Sequence, residues 1–245
     1  MSTVIPPKGV SAPIPWLDSA PDATQAPPVA AEQGLGPNRR ILIFRQESVN
    51  ALMRTLSARD PYTGHHAHRV TNVAVAFGRS LGLPPQDLET LATAGYLHDI
   101  GKVGISDAIL LKPGPLTAEE RAVVETHPLI GEKIVEPLGL RPQEKNIILL
   151  HHERWDGLGY PYNLAGVKIP FLCRLLALAD VFDALTSDRP YRRALTVPKA
   201  LTEIEKQAGK HFDPDLATKF ILLIDSYHPL TLSQIPPPPW LSRCL

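Results

Sequence analysis

The chain has 245 residues, 44% of them hydrophobic and 20% charged, which suffices to bury one sizeable core. Its 25 basic and 25 acidic residues cancel. That excludes a general nucleic-acid binder, because displacing counterions from phosphates takes an excess of Lys and Arg. No purely apolar run is longer than Phe220 to Ile224, far short of the roughly 20 residues that span a bilayer. With no signal-peptide pattern and only Cys173 and Cys244 as thiols, a soluble protein of a reducing compartment is expected.

Eight prolines fall within residues 1–38, a stretch that cannot hold a long helix or a core. It reads as a disordered arm, followed by a folded region over 39–228. Helical spacing begins at Arg40 and stops before the Asp60-Pro61 turn signal. The next helices are expected over His66–Leu81, stopped by Gly82 and Pro84, and over Pro85–His98. Thr117 and Glu120 form a capping box that opens a helix running toward His127. Further helices are expected over Leu129–Leu138 and from Pro142 to His152. A Gly/Pro-rich loop then covers 156–170. Phe171–Leu185 is apolar enough to be a central buried helix. Pro198–Ala208 follows, and Asp213 with Pro214 caps a last helix. Residues 229–245 form a Pro-rich tail. No alternating run suggests a sheet, so the expected fold is all-α.

Seven residues form a candidate metal constellation: His66, His98, Asp99, His127, His151, His152 and Asp180. Imidazoles and carboxylates suit Fe, Mn and Zn, and helical bundles build metal sites from side chains on facing helices. An adjacent pair such as His98-Asp99 cannot share one helical face, but at a frayed helix end both can turn to one point. Asp180 lies inside Leu175-Leu-Ala-Leu-Ala-Asp-Val-Phe, where an unpaired carboxylate is costly to bury. Metal ligation resolves that cost, as does a structural salt bridge.

His98-Asp99 with Gly101-Lys102 resembles the signature of HD-superfamily metal-dependent phosphohydrolases. The stretch from His151 through Arg154-Trp-Asp-Gly-Leu-Gly-Tyr-Pro161 resembles the loop that defines the HD-GYP subfamily. Asp60-Pro-Tyr-Thr63 ahead of His66 and Arg69, Leu110 to Thr117, and Asp180 to Arg192 are similar to that family's opening, middle and closing motifs. The resemblance covers about residues 50–220. It implies an HD-type helical bundle with a dinuclear iron or manganese site that hydrolyses cyclic di-GMP to linear pGpG or GMP. One metal would take His66, His98, Asp99 and Asp180. The other would take His127, His151 and His152, with Asp99 bridging. Some relatives hold a third metal through an extra Glu, but no acidic residue lies between Thr63 and Ser80, so two are expected. Ala67 stands where the family usually has Ser.

Two metals about 3.5–4 Å apart lower the pKa of a shared water and neutralise a phosphate oxygen, which makes a bridging hydroxide the expected nucleophile. Lys102 is either a phosphate contact or a solvated loop lysine, and the proton for the leaving group comes from water or from Lys102. Arg189, Arg192 and Arg193 suit phosphate and guanine edges as guanidinium forks, or lie solvated at the surface. Tyr160 stacks on a base or simply packs. Gly157 and Gly159 give the loop φ > 0 or a close approach. With Tyr160 and Pro161 they form, by the resemblance, a contact loop for diguanylate cyclase (GGDEF) domains. Arg69 and Glu153 are read as groups that orient the metal histidines. His65 and His68 read as exposed or outer groups, and Cys173 as core. The resemblance implies a bacterial cytoplasmic protein and admits a homodimer. Two alternatives remain: a hydrolase of another cyclic dinucleotide, and a signalling adaptor that binds nucleotide or partner without turnover.

Overall fold

A computed structural model describes residues 37–188 and 193–226. The expected Pro-rich arm, Arg189, Arg192 and the Pro-rich tail lie outside the described residues. The chain divides after Phe44 into two units. The described part of the first is the opening of helix α1, and everything below concerns the second.

The described residues form ten α-helices and no strand: α1 (Pro37–Arg59), α2 (Pro61–Ser80), α3 (Pro85–Leu97), α4 (Asp107–Leu110), α5 (Ala118–Val124), α6 (His127–Val135), α7 (Pro142–Leu150), α8 (Phe171–Thr186), α9 (Val197–Lys206) and α10 (Pro214–Ser226). The all-α reading is therefore borne out. Tight 3₁₀ turns cover Ile100–Gly104, Glu136–Leu138 and Gly166–Lys168.

The boundaries follow local chemistry. Thr117 and Glu120 make the reciprocal capping box at α5, with the Glu120 carboxylate accepting from Thr117 N at 2.8 Å. Asp213 Oδ1 accepts from Asp215 N and Leu216 N at 3.0 and 3.2 Å at the head of α10. The start of α2 differs from expectation: it begins at Pro61, not His66. Asp60, read as part of a turn, has extended backbone and accepts from Tyr62 N at 3.1 Å. It is an N-cap, and Pro61 occupies the first helical position, where a missing N–H costs nothing. Helix α1 likewise opens at Pro37, inside the stretch read as arm.

Helix α2 packs on α3 and α8, α6 on α7 and on the Ile100–Gly104 turn, and α8 on α7 and α9. Leu56, Val70, Phe77, Leu91, Leu97, Ile147, Leu175, Leu178 and Phe220 are fully enclosed. The Phe220 ring meets Phe77 and Phe182 edge-on, centroids 5.1 and 5.5 Å apart. Cys173 is buried in this core, and burial pushes its thiol pKa up.

Candidate metal centre

The seven constellation residues converge from five places in the fold. His66 comes from the second turn of α2. His98 and Asp99 follow the end of α3, where Asp99 has φ −95° and ψ 5°. That sparsely used conformation swings the backbone out of the helix, so the adjacent pair turns to one point. His127 opens α6 and His151-His152 follow α7. Asp180 projects from α8.

Their donor atoms fall into two groups, each within 4.8 Å: His66, His98 and Asp180 in one, Asp99, His127, His151 and His152 in the other. Asp99 faces both. Its Oδ2 lies 3.4 Å from His98 Nε2 and 3.9 Å from His66 Nε2. Its Oδ1 lies 3.4 Å from His127 Nε2 and 4.0 Å from His151 Nε2.

The outer ring nitrogens fix the tautomers. Nδ1 of His98 donates to Gly95 O at 2.6 Å, that of His127 to Val124 O at 2.7 Å, and that of His151 to Ile148 O at 3.0 Å. A carbonyl oxygen only accepts, so each Nδ1 carries the proton and each Nε2 turns a lone pair inward. His127 Nε2 and His151 Nε2 then face each other at 3.3 Å, lone pair to lone pair. His98 Nε2 and Asp99 Oδ1 are buried with no hydrogen-bond partner. Orphaned acceptors, one in each donor group, are what divalent cations satisfy, so the donor set fits two metal ions.

Burial holds His127 at a pKa of about 4 and, with the charge of His127 added, His152 at about 3; His151 is also well below the ordinary value. These imidazoles stay neutral, as metal ligands must. Burial opposes protonation of His66 too, but hydrogen bonds to Asp180 and Asp183 outweigh it and raise its pKa to about 9. Burial pushes the Asp99 carboxyl up, yet Lys102 and the neighbouring histidines hold it well below the usual carboxylate range.

Around this cluster the expected roles divide. Lys102 Nζ lies 2.6 Å from Asp99 Oδ2. Arg69 acts through Asp183: its Nε donates to Asp183 Oδ1 at 2.6 Å, and Asp183 Oδ2 accepts from His66 Nδ1 at 2.7 Å. Tyr160 packs over His152, centroids 4.7 Å apart. Gly157 takes φ +77°. Gly159 makes the close approach, because a Cβ there would strike the backbone at His152 and Arg154. Arg193 is exposed. The expectation for Glu153 is corrected: its two oxygens accept from Tyr162 N at 2.7 Å and Leu164 N at 2.8 Å. It clasps the loop that carries Pro161 rather than a histidine. Ala67 is fully buried, and His65 and His68 lie outside both donor groups.

The roles of two residues were not anticipated. Asp183 lies three residues past Asp180 on α8, a spacing that shares a helix face and could have flagged it. At Gly101 a Cβ would run into the His127 carbonyl, with Gly131 N only 2.6 Å away. The missing side chain lets the turn after Asp99 press against α6, which brings His127 to Asp99.

The HD domain profile matches residues 50–216. The "Cyclic di-GMP phosphodiesterase response regulator RpfG" of Xanthomonas campestris is 42% identical over 171 residues, 69% of this chain and 45% of that protein. A "Cyclic di-GMP phosphodiesterase" of Thermotoga maritima is 39% identical over 74% of this chain and 50% of its own. A "3'3'-cGAMP-specific phosphodiesterase 2" of Vibrio cholerae is 39% identical over 70% and 33%. The chain thus spans half or less of these relatives' length. Among solved structures, a cyclic GMP-AMP specific phosphodiesterase of V. cholerae aligns with TM-score 0.60 at 21% identity, covering 81% of this chain and 52% of that one. An HDG"Y"P protein of Bdellovibrio bacteriovorus aligns with TM-score 0.55 at 21% identity, covering 74% and 61%. The chain belongs to the HD-domain family, in its HD-GYP branch. No helix among the described residues is long and apolar enough to cross a membrane.

Proposed function

We propose that this chain is a metal-dependent phosphodiesterase that hydrolyses cyclic di-GMP to linear pGpG or GMP. The catalytic unit is residues 39–228, flanked by the arm and the tail. Two Fe or Mn ions would be held by His66, His98, Asp99 and Asp180 on one side and by Asp99, His127, His151 and His152 on the other. The observation that carries the reading is Asp99, whose two oxygens face the two donor groups. When bound, the ions supply an acidified water and positive charge for the phosphodiester oxygens.

The chain's own residues do the rest. Asp99, with one oxygen toward each donor group, would supply negative charge to both ions. The backbone carbonyls behind His98, His127 and His151 keep the rings aimed. Asp183 does the same for His66, with Arg69 behind it. Lys102, at the edge of the site, is placed to meet a phosphate or to give a proton to the departing 3′ oxygen. Tyr160 and the Glu153-clasped loop wall the site beside His152. Arg193, with Arg189 and Arg192, is assigned to the nucleotide, and the loop at Gly157–Pro161 to GGDEF partners.

Relatives named as 3'3'-cGAMP-specific at 39% and 37% identity favour one second reading, a hydrolase of that cyclic dinucleotide. The test is anaerobic reconstitution with Fe(II) or Mn(II), then chromatography of reactions on cyclic di-GMP and 3'3'-cGAMP. Turnover of cyclic di-GMP supports the proposal, and selective turnover of cGAMP supports the second reading. Full metal uptake with neither substrate cleaved refutes both.

A further inference from the structure

The turn at Ile100–Gly104 is a 3₁₀ helix of five residues. Runs of this geometry beyond three or four residues are uncommon, because their hydrogen bonds are poorly aligned. This one begins directly after Asp99 and carries Lys102. At its two ends Lys102 N donates to Asp99 O at 3.0 Å and Ile105 N to Lys102 O at 3.1 Å. A side chain from outside the turn adds donors at its far end. Arg59, the last residue of α1, donates through Nη1 to Lys102 O at 3.0 Å and also to Val103 O. Its Nη2 donates to Ile105 O. Its Nε and Nη2 lie 3.0 and 2.6 Å from Asp107 Oδ1. One guanidinium therefore collects two carbonyls of the turn, that of the capping Ile105 and the Asp107 carboxylate beyond, a task that the planar five-donor fork suits and an ammonium does not.

The position of Arg59 matters as much as its bonds. It precedes Asp60, the cap of α2, and α2 carries His66. Nearer its middle α1 makes a second arginine contact: Arg45 reaches the fully buried Glu144 carboxylate in the first turn of α7, the helix that leads into His151. The helix thus touches the carriers of both donor groups, and Arg59 is its link to the turn behind Asp99.

We propose that Arg59 is a positioning residue: it holds the Ile100–Gly104 turn in shape, so that the placement of Lys102 depends on where the end of α1 lies. The inference rests on the phosphodiesterase reading for its catalytic consequence, though not for its structural one. Any displacement of α1 would reach Lys102 through this guanidinium.

Two readouts test it. In hydrogen exchange, Arg59→Met should speed the amides of Lys102 and Ile105 by about tenfold, as expected when a charged donor leaves partly buried acceptors, with α10 unchanged. In kinetics, Arg59→Met should lower kcat/KM by about tenfold with metal content intact, and should cost nothing further in a Lys102→Met background. Unchanged exchange overturns the proposal, as does an equal loss in both backgrounds, which marks a merely structural role. A wild-type chain that cleaves no cyclic dinucleotide sinks the functional reading, and exchange alone then decides for Arg59. If Arg59→Met fails to fold, Arg59→Lys, which keeps the charge beside Asp107 but cannot span three carbonyls, is used with the same outcomes.

Discussion

Replacing Asp183 by Asn tests how His66 is held. The carboxylate accepts from His66 Nδ1 at 2.7 Å and from Arg69 at 2.6 and 3.0 Å. An amide keeps the shape but turns one acceptor into a donor. One face of it must then point N–H groups at either His66 or Arg69. The bond to Arg69 is discounted, because that side chain is 42% exposed and water takes over its donors. The bond to His66 lies where both side chains are 5% exposed, and a buried hydrogen bond to a charged group contributes about 1.5–3 kcal/mol. At 1.4 kcal/mol per decade that is roughly 10- to 100-fold, the range seen when partners of metal-bound histidines are removed. Asp183→Asn should therefore weaken binding of one metal equivalent by that factor. The assay is competition with a chelating dye for Mn(II), followed by turnover at saturating metal. Arg69→Met should shift the same curve by only a few-fold. Both metal equivalents staying within twofold of wild type would refute the claim that Asp183 aims His66.

Three further outcomes are expected. Asp99→Ala should abolish turnover and lower the metal content of both groups, read by elemental analysis; retained activity sinks the bridging assignment. Gly101→Ala should cost about 3 kcal/mol, the upper end of overpacking penalties, because the obstacle is the His127 backbone and not a side chain that can swing away; chemical denaturation with an unshifted midpoint contradicts this. In protein stripped of metal, stability should peak near pH 6.5. Below it, His127 and His152, held at about 4 and 3 in the fold, take up protons only in the unfolded chain, so stability falls with falling pH. Above it, His66 keeps its proton in the fold up to about pH 9 while the unfolded chain loses it, so stability falls with rising pH. Melting temperatures between pH 4.5 and 9 check both arms, and a monotonic profile contradicts the assignment.

Much of the fold was legible because its punctuation is local. Thr117 with Glu120, Asp213 with Pro214, and the prolines before α3 and α7 mark helix starts within a few residues of chain. The metal constellation was legible because a carboxylate such as Asp180 is costly to bury in an apolar helix, and nearby histidines offer a cation to offset that cost. What escaped were pairings across the chain. Asp183 meets Arg69 over 114 residues and Arg59 meets Lys102 over 43, and no local pattern announces either. Glu153 was misread because its position beside His152 suggested a histidine partner, whereas its carboxylate turns to the loop amides of Tyr162 and Leu164. Gly101 was quoted as part of a motif, but its reason, the closeness of α6, exists only once the helices are packed.

The carbonyls behind His98, His127 and His151 have a consequence for how this centre tolerates change. Each belongs to the last residues of a helix, α3, α5 and α7, where main-chain oxygens have no partner further along. At 124 and 148 a residue that keeps the helix end supplies the same oxygen, while a Cβ at Gly95 would press on Thr71 and Leu176. The aim of those three rings is therefore written in backbone geometry and, at 124 and 148, is insulated from side-chain substitution. His66 is aimed by a side chain, Asp183, and so by a codon that one base change can alter. Drift toward a centre with a single metal would begin at α8, on the His66 side, long before it reached the other three.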